Sequence, residues 1–472
     1  MIRPLQLEPA ERAALWAQVT EAIEAYAREV DDLPVAPRLD PATLRARLSE
    51  IDFRQPMDPA RAVALAGDLL RAHQVHTPHP RYFGLFNPAP TTMGIAADTL
   101  VAAFNPQLAA WSHSPFAAEC ERHLVRVLGA RLGLPAESVD GTFASGGAEA
   151  NHTAVLAALT HRFSGFGADG VRALPGLPVL YVSAEAHHSF LKAARLCGLG
   201  TGAVREVPVD EELRLRPAAL AEAVARDRRE GALPFLAVAT AGTTGAGAVD
   251  PVAEVVDLCA REGLWAHVDA AWGGAAALLP ELFPLLEGTG RADSVTVDAH
   301  KWLSVPMGAG VFLTRHPDVL ERTFRVAATY MPREAEGLDV HDPFAHSMQW
   351  SRRFIGLKVF LSLAVAGLDG YAAAMRHMVA MGEELRAALA AAGFRLVNRT
   401  PLPLVCFVEG DDPEGRRAPA LARAVVASGR AWVSSVALPG GRAAVRACIT
   451  NFRTTEADVR ALVDALSAAA GR

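Results

Sequence analysis

The 472-residue sequence predicts an α/β protein: a large domain on a mostly parallel sheet flanked by helices, with an N-terminal helical arm before it and a small α+β domain after it. Three patterns carry that expectation. Residues 8–30 and 58–74 place apolar side chains at helical spacing, and Pro34, Pro37, Pro41 and Pro56 punctuate the stretch between them. From about residue 96 to 355, aliphatic runs alternate with Ala- and Leu-rich stretches, which is how βαβ units read. Beyond about residue 356, a helical stretch leads into short alternating segments. The expected division is therefore an arm over 1–84, a large domain over 85–355 and a small domain over 356–472.

Buried strands of the large domain are expected at Val179–Ser183, Phe235–Thr240, Trp265–Asp269, Ser294–Val297 and Gly310–Thr314. The small domain should hold strands at Phe394–Val397, Leu404–Val408 and Val445–Asn451, then a final helix from about Glu456. Composition narrows the function. A net charge of -6 without any basic run leaves no footprint for nucleic acid. Cys120, Cys197, Cys259, Cys406 and Cys448 are scattered and never form Cys-x-x-Cys, so neither a disulfide framework nor a metal cluster is expected. The opening Met1-Ile2-Arg3-Pro4 lacks a signal-like apolar core and no later stretch reads as a membrane span, so a cytoplasmic protein is expected.

In open α/β sheets, chemistry collects beyond the carboxyl ends of the strands. The chain has only three lysines, Lys192, Lys301 and Lys358, and Lys301 follows His300 just past an apolar run. A desolvated lysine loses part of its preference for the charged form and becomes a nucleophile, suited to a Schiff base with an aldehyde cofactor. The bland alternative is a strand-end lysine reaching for solvent. Asp269 ends another apolar run. A buried aspartate needs a partner, and a protonated pyridine nitrogen would serve, keeping the ring an electron sink as in pyridoxal phosphate; the alternative is a turn cap. Gly146 and Gly147 precede the helical stretch Thr153–Thr160, where free N–H groups attract phosphate, although a glycine pair is also an ordinary turn. His187 could stack on a flat ring or move protons, although a loop histidine is often merely exposed. Thr240, Thr243 and Thr244 add hydroxyls at a further strand end. Together these rims are far more specific than any one of them.

The motifs around His187, His267-Val268-Asp269-Ala270-Ala271 and His300-Lys301-Trp302 resemble the group II pyridoxal phosphate-dependent amino acid decarboxylases, the aromatic amino acid and glutamate decarboxylase family of fold type I. The likeness runs from about Pro80 to the carboxyl terminus. It implies that Lys301 forms the internal aldimine, that Asp269 pairs with the pyridine nitrogen, and that His187 and Ala271 cover the two ring faces. Thr244 would approach the ring, while Gly146, Gly147, Ala148 and His300 would surround the phosphate. Two positions depart from the pattern: Ala148 stands where many relatives carry serine, and Asp298 where some carry asparagine.

Other segments extend the resemblance. Trp111-Ser112-His113-Ser114-Pro115 and His79-Pro80-Arg81-Tyr82-Phe83 are similar to family segments at the substrate pocket. By that likeness Tyr82, Phe83, Phe104, Trp111 and His113 are candidate substrate contacts, with a core role open for the aromatic ones. Phe324–Tyr330 is similar to the mobile catalytic loop, whose tyrosine reprotonates Cα and which reaches a neighbouring subunit's site. A homodimer with active sites at the interface is therefore implied. Arg352, Arg353 and Arg453 are equally placed for ion pairs or for substrate. The implied function is decarboxylation of an L-amino acid, aromatic or bulky substrates favoured, through an external aldimine and a quinonoid. Two alternatives stay open: oxidative deamination or β-elimination on the same scaffold, and a non-catalytic binding protein.

Overall fold

Proline in the first turn begins three N-terminal helices, α1 (Pro9–Glu29), α2 (Pro41–Ser49) and α3 (Pro59–Ala72), where its missing N–H costs nothing. The computed structural model describes residues 5–471 apart from 333 and 336. Asp40 and Asp58 cap α2 and α3 by accepting from Thr43 N at 3.1 Å and Arg61 N at 2.9 Å. The prolines around α2 read as breakers, so that helix was not expected, yet Pro41 starts it rather than preventing it. None of the three helices buries a side chain fully. Helix α4 (Thr92–Phe104) and helix α5 (Pro115–Arg131) then lead into the sheet.

The large sheet has seven strands: β1 (Asp140–Ala144), β2 (Pro178–Ser183), β3 (Val204–Val207), β4 (Leu233–Thr240), β5 (Trp265–Asp269), β6 (Ser294–Asp298) and β7 (Gly310–Thr314), in the order β1-β7-β6-β5-β4-β2-β3. Pairing is parallel from β6 through β5, β4 and β2 to β3, and antiparallel on both sides of β7. Side chains alternate between two cores. Val179, Tyr181, Val268 and Val295 enter one, while Leu180, Val182, Val238 and Phe312 enter the other beneath α6 (Gly147–Arg162). All five expected strands are present. β1 and β3 were not foreseen, because Gly141 interrupts the first and the second is a four-residue edge with an exposed Glu206.

The helix Gly356–Ala391 is long and apolar enough to cross a membrane by length and composition, which the sequence reading did not anticipate. Gly367 breaks it at φ 66°, and Leu357, Met375, Met378, Leu385 and Leu389 sit in the protein core. The second sheet is antiparallel, β10-β11-β9-β8, from β8 (Phe394–Leu396), β9 (Leu404–Glu409), β10 (Ser434–Leu438) and β11 (Arg442–Cys448). The strand expected at Val445–Asn451 lies three residues earlier, and β10 was missed. The final helix runs Glu456–Ala469. Residues 82–84 dock along the small sheet: Phe83 N donates to Trp432 O at 2.9 Å and Cys448 N to Phe83 O at 3.0 Å.

Candidate active site

Strands β1, β6, β5, β4 and β2 run the same way and end on one rim, and the singled-out residues of that rim meet there. Asp269 closes β5 and is 4% exposed. Its carboxylate accepts Asn151 Nδ2 at 2.8 Å and Ala271 N at 3.1 Å. Asn151, one helical turn beyond Gly147 on α6, also donates to Ser189 Oγ at 3.0 Å, and its Oδ1 lies 3.2 Å from His267 Nε2. Burial holds the His267 pKa down at about 4, so the ring is neutral and its other nitrogen lies 2.8 Å from Ser294 Oγ. This network fixes Asp269 from behind. Sequence reasoning passed over Asn151, although its position one turn after the glycine pair places it on the same helix face.

His187 lies on the open side. Its Nδ1 accepts Ser189 N at 3.2 Å, which leaves Nε2 to carry the proton of the neutral ring. Protein crowding lowers its pKa although one face stays exposed; desolvation leads, Asp269 opposes it and Lys301 adds to it. Both charged groups therefore lie close enough to act on one imidazole. Lys301 Nζ lies 2.9 Å from Asp298 Oδ2 and 5.6 Å from the centre of the Phe86 ring.

The phosphate end is built from backbone. Helix α6 starts at Gly146 without a side-chain cap, so its first N–H groups are free to meet an anion. The Ser145 hydroxyl is committed to Glu149 Oε2 at 2.6 Å, and Ala148 offers no hydroxyl, so backbone donors must do this work. His300 Nδ1 accepts Ala309 N at 3.1 Å, which directs its Nε2–H elsewhere, and the ring edge lies against Gly146. Burial lowers the pKa of His300. Ala271 lies 3.3 Å from where a Gly147 Cβ would stand. The residues present thus fit pyridoxal phosphate: an amine, a buried carboxylate, a ring-stacking imidazole and an anion cradle.

The expected substrate contacts fare differently. Phe83 is fully buried in the core between the sheets, and Tyr82 is 4% exposed with its ring on Trp432 at 5.3 Å. Phe86, further along this segment, lies beside Lys301 and stacks on Trp272 at 4.3 Å. Beside it, Arg446 places its guanidinium carbon 4.8 Å from the Phe86 ring centre and donates to Thr244 O and Gly84 O, each at 2.8 Å. Its Nη2 has no hydrogen-bond partner among the described residues. Thr244 therefore meets the site through its carbonyl and Arg446. Phe104 is 81% exposed at the end of α4, and His113 Nδ1 pairs locally with Gln107 at 2.8 Å. Trp111 donates to Glu119 at 2.9 Å and borders a cavity at Asp140, the far end of β1 from the glycine pair. Tyr330 is 74% exposed against Trp350 at 5.9 Å. Arg352, Arg353 and Arg453 pair with Glu121, Asp98 and Asp31.

Comparison with known proteins identifies the family. The pyridoxal-dependent decarboxylase conserved domain matches residues 44–409. An aromatic-L-amino-acid decarboxylase of Bacillus atrophaeus is 31% identical over 464 residues, covering 96% of this chain and 94% of that one. A cysteine sulfinic acid decarboxylase of Homo sapiens is 31% identical over 407 residues, covering 86% of this chain and 81% of that one. The crystal structure of Oryza sativa TDC with PLP and tryptamine matches with a TM-score of 0.90 at 26% identity, covering 98% of both chains. The expected fold type and cofactor hold, and the chain belongs to the pyridoxal-dependent decarboxylase family, enzymes that use pyridoxal phosphate as lyases.

Proposed function

We propose that this enzyme removes carbon dioxide from an L-amino acid, with aromatic or bulky side chains favoured, and releases the amine. The observation that carries the reading is the convergence of Lys301, Asp269, His187 and the uncapped start of α6 on one rim. When bound, pyridoxal phosphate supplies an aldehyde carbon that takes the substrate nitrogen and a protonated ring that draws electrons from the bond being broken. The protein's share is orientation. Asp269, fixed by Asn151, would hold the ring nitrogen, His187 would cover one ring face, and Lys301 would anchor the cofactor.

Phe86 and Trp272 give an apolar wall beside Lys301, which suits an aromatic side chain. The free Nη2 of Arg446 suits a substrate carboxylate. Tyr330 supplies the proton to Cα after carbon dioxide departs. Its exposure within one chain fits delivery to the neighbouring subunit of a homodimer, as does the exposure of Phe104.

The test is to offer the cofactor-loaded protein phenylalanine, tyrosine, tryptophan, glutamate and cysteine sulfinate while following carbon dioxide, amine, aldehyde, ammonia and thiol together. Carbon dioxide and amine from an aromatic substrate are expected, with Tyr330→Phe moving product from amine toward aldehyde. Thiol or ammonia without carbon dioxide would contradict the reading, and an unaltered product ratio would remove Tyr330 from proton delivery.

A further inference from the structure

Asp298 ends β6 in a buried, close-fitting seat. A Cβ at Gly147 would stand 2.7 Å from Oδ2, and one at Gly310 would stand 2.9 Å from Oδ1, so only glycines leave room for it. The side chain is 2% exposed, and its backbone N–H donates to Ala271 O at 2.9 Å. The amino end of α6 lies alongside, where the helix favours negative charge. Lys301 Nζ completes the group at 2.9 Å, while Oδ1 is buried without a hydrogen-bond partner among the described residues. A buried carboxylate needs a cation, and the nearest one is the amine assigned to the cofactor.

We propose that Asp298 is a positioning residue that takes the Lys301 amine whenever it is not joined to the cofactor. This covers the cofactor-free protein and the interval of each turnover when the substrate nitrogen has replaced the lysine. The exchange balances without a further reagent: a C–N bond forms to the substrate nitrogen, the bond to Lys301 breaks, and two protons pass from the incoming to the leaving nitrogen. Asp298 then holds the departed side chain within reach of its return. His300 Nε2, 3.9 Å from Oδ2, and the α6 terminus stay beside the carboxylate once the lysine has moved away. A neutral asparagine could not attract an ammonium this way.

The inference rests on Lys301 being the cofactor lysine, and its test starts without the cofactor. The chain carries only three lysines, and Lys192 is exposed, so it serves as an internal reference. Cofactor-free wild type, Asp298→Asn and Asp298→Glu would be labelled with limiting acetic anhydride at fixed pH and the lysine peptides quantified by mass spectrometry. The Lys301-to-Lys192 ratio is expected to rise about tenfold in the asparagine variant, the scale of a lost charge-assisted hydrogen bond, and to fall back in the glutamate variant. Covalent capture of added pyridoxal phosphate, followed by absorbance, should be faster in Asp298→Asn. Asp298→Ser replaces it if the asparagine variant does not fold. An unchanged ratio, or slower capture, in a variant that melts like wild type overturns the inference alone. Absence of capture at Lys301 in wild type overturns it together with the functional reading.

Discussion

Two buried imidazoles illustrate how single residues set the behaviour of this protein. Burial holds both His79 and His267 at a pKa of about 4. An unfolded histidine protonates below about pH 6.5. Between these values the unfolded chain binds more protons than the folded one, so stability is lost as pH falls through that window. Thermal melting should therefore drop steadily from about pH 6.5 to about 4 and be flat just above it; a melting temperature level across the window would contradict the assignment. At this scale the sequence was informative wherever one motif held the whole message. Lys301, Asp269 and His187 each followed a readable strand, and the glycine pair stood before a readable helix. Phe86 and Arg446 were not legible, since their meaning depends on contacts about two hundred residues away or more, whereas Asn151 could have been read from its place one turn after the glycine pair. The register of β11 and the docking of residues 82–84 bring Arg446 to Phe86, and no local pattern announces that meeting.

The element that matters most is the turn from β1 into α6. Gly147 is required there by close approach rather than by backbone angle, because a Cβ would meet Asp298 Oδ2 at 2.7 Å. Gly147→Ala should push the carboxylate out of its seat and narrow the anion cradle. We expect cofactor affinity to fall at least about tenfold, or ~1.4 kcal/mol. Gly202→Ala, with nothing within 4 Å of the added atom, is the matched control. Equilibrium titration with pyridoxal phosphate checks this, and equal affinities in the two variants would contradict it. Strands of the buried centre were legible as aliphatic runs bounded by polar residues. The edges were not: β3 is short and partly exposed, and β10 alternates without a strong apolar signal. Helix α2 was hidden because proline reads as a breaker until its place at the first turn is known.

At the scale of the whole molecule, the arm poses the clearest question. Helices α1, α2 and α3 bury no side chain fully, yet they carry Trp16 at 51% exposure, with Phe53 beyond α2 at 95%. Phe104, Phe116 and Tyr330 add further exposed rings. Apolar surface on this scale marks an interaction face. We expect light scattering to give twice the monomer mass, and Trp16→Asp with Phe53→Asp to yield monomers that keep their helix content and lose activity. A monomeric, fully active wild type would contradict the shared-site arrangement. Sequence patterning could not decide this, because a helix waiting for a partner chain and a helix facing water show similar periodicity.

The central claim is that Lys301 carries the cofactor, and the small number of lysines makes it directly measurable. The cofactor-loaded protein would be reduced with borohydride, digested and mapped by mass spectrometry. The account predicts one pyridoxyl adduct, on the peptide holding His300-Lys301-Trp302, and its loss in Lys301→Ala. An adduct on Lys192 or Lys358, or one that survives the substitution, would contradict it.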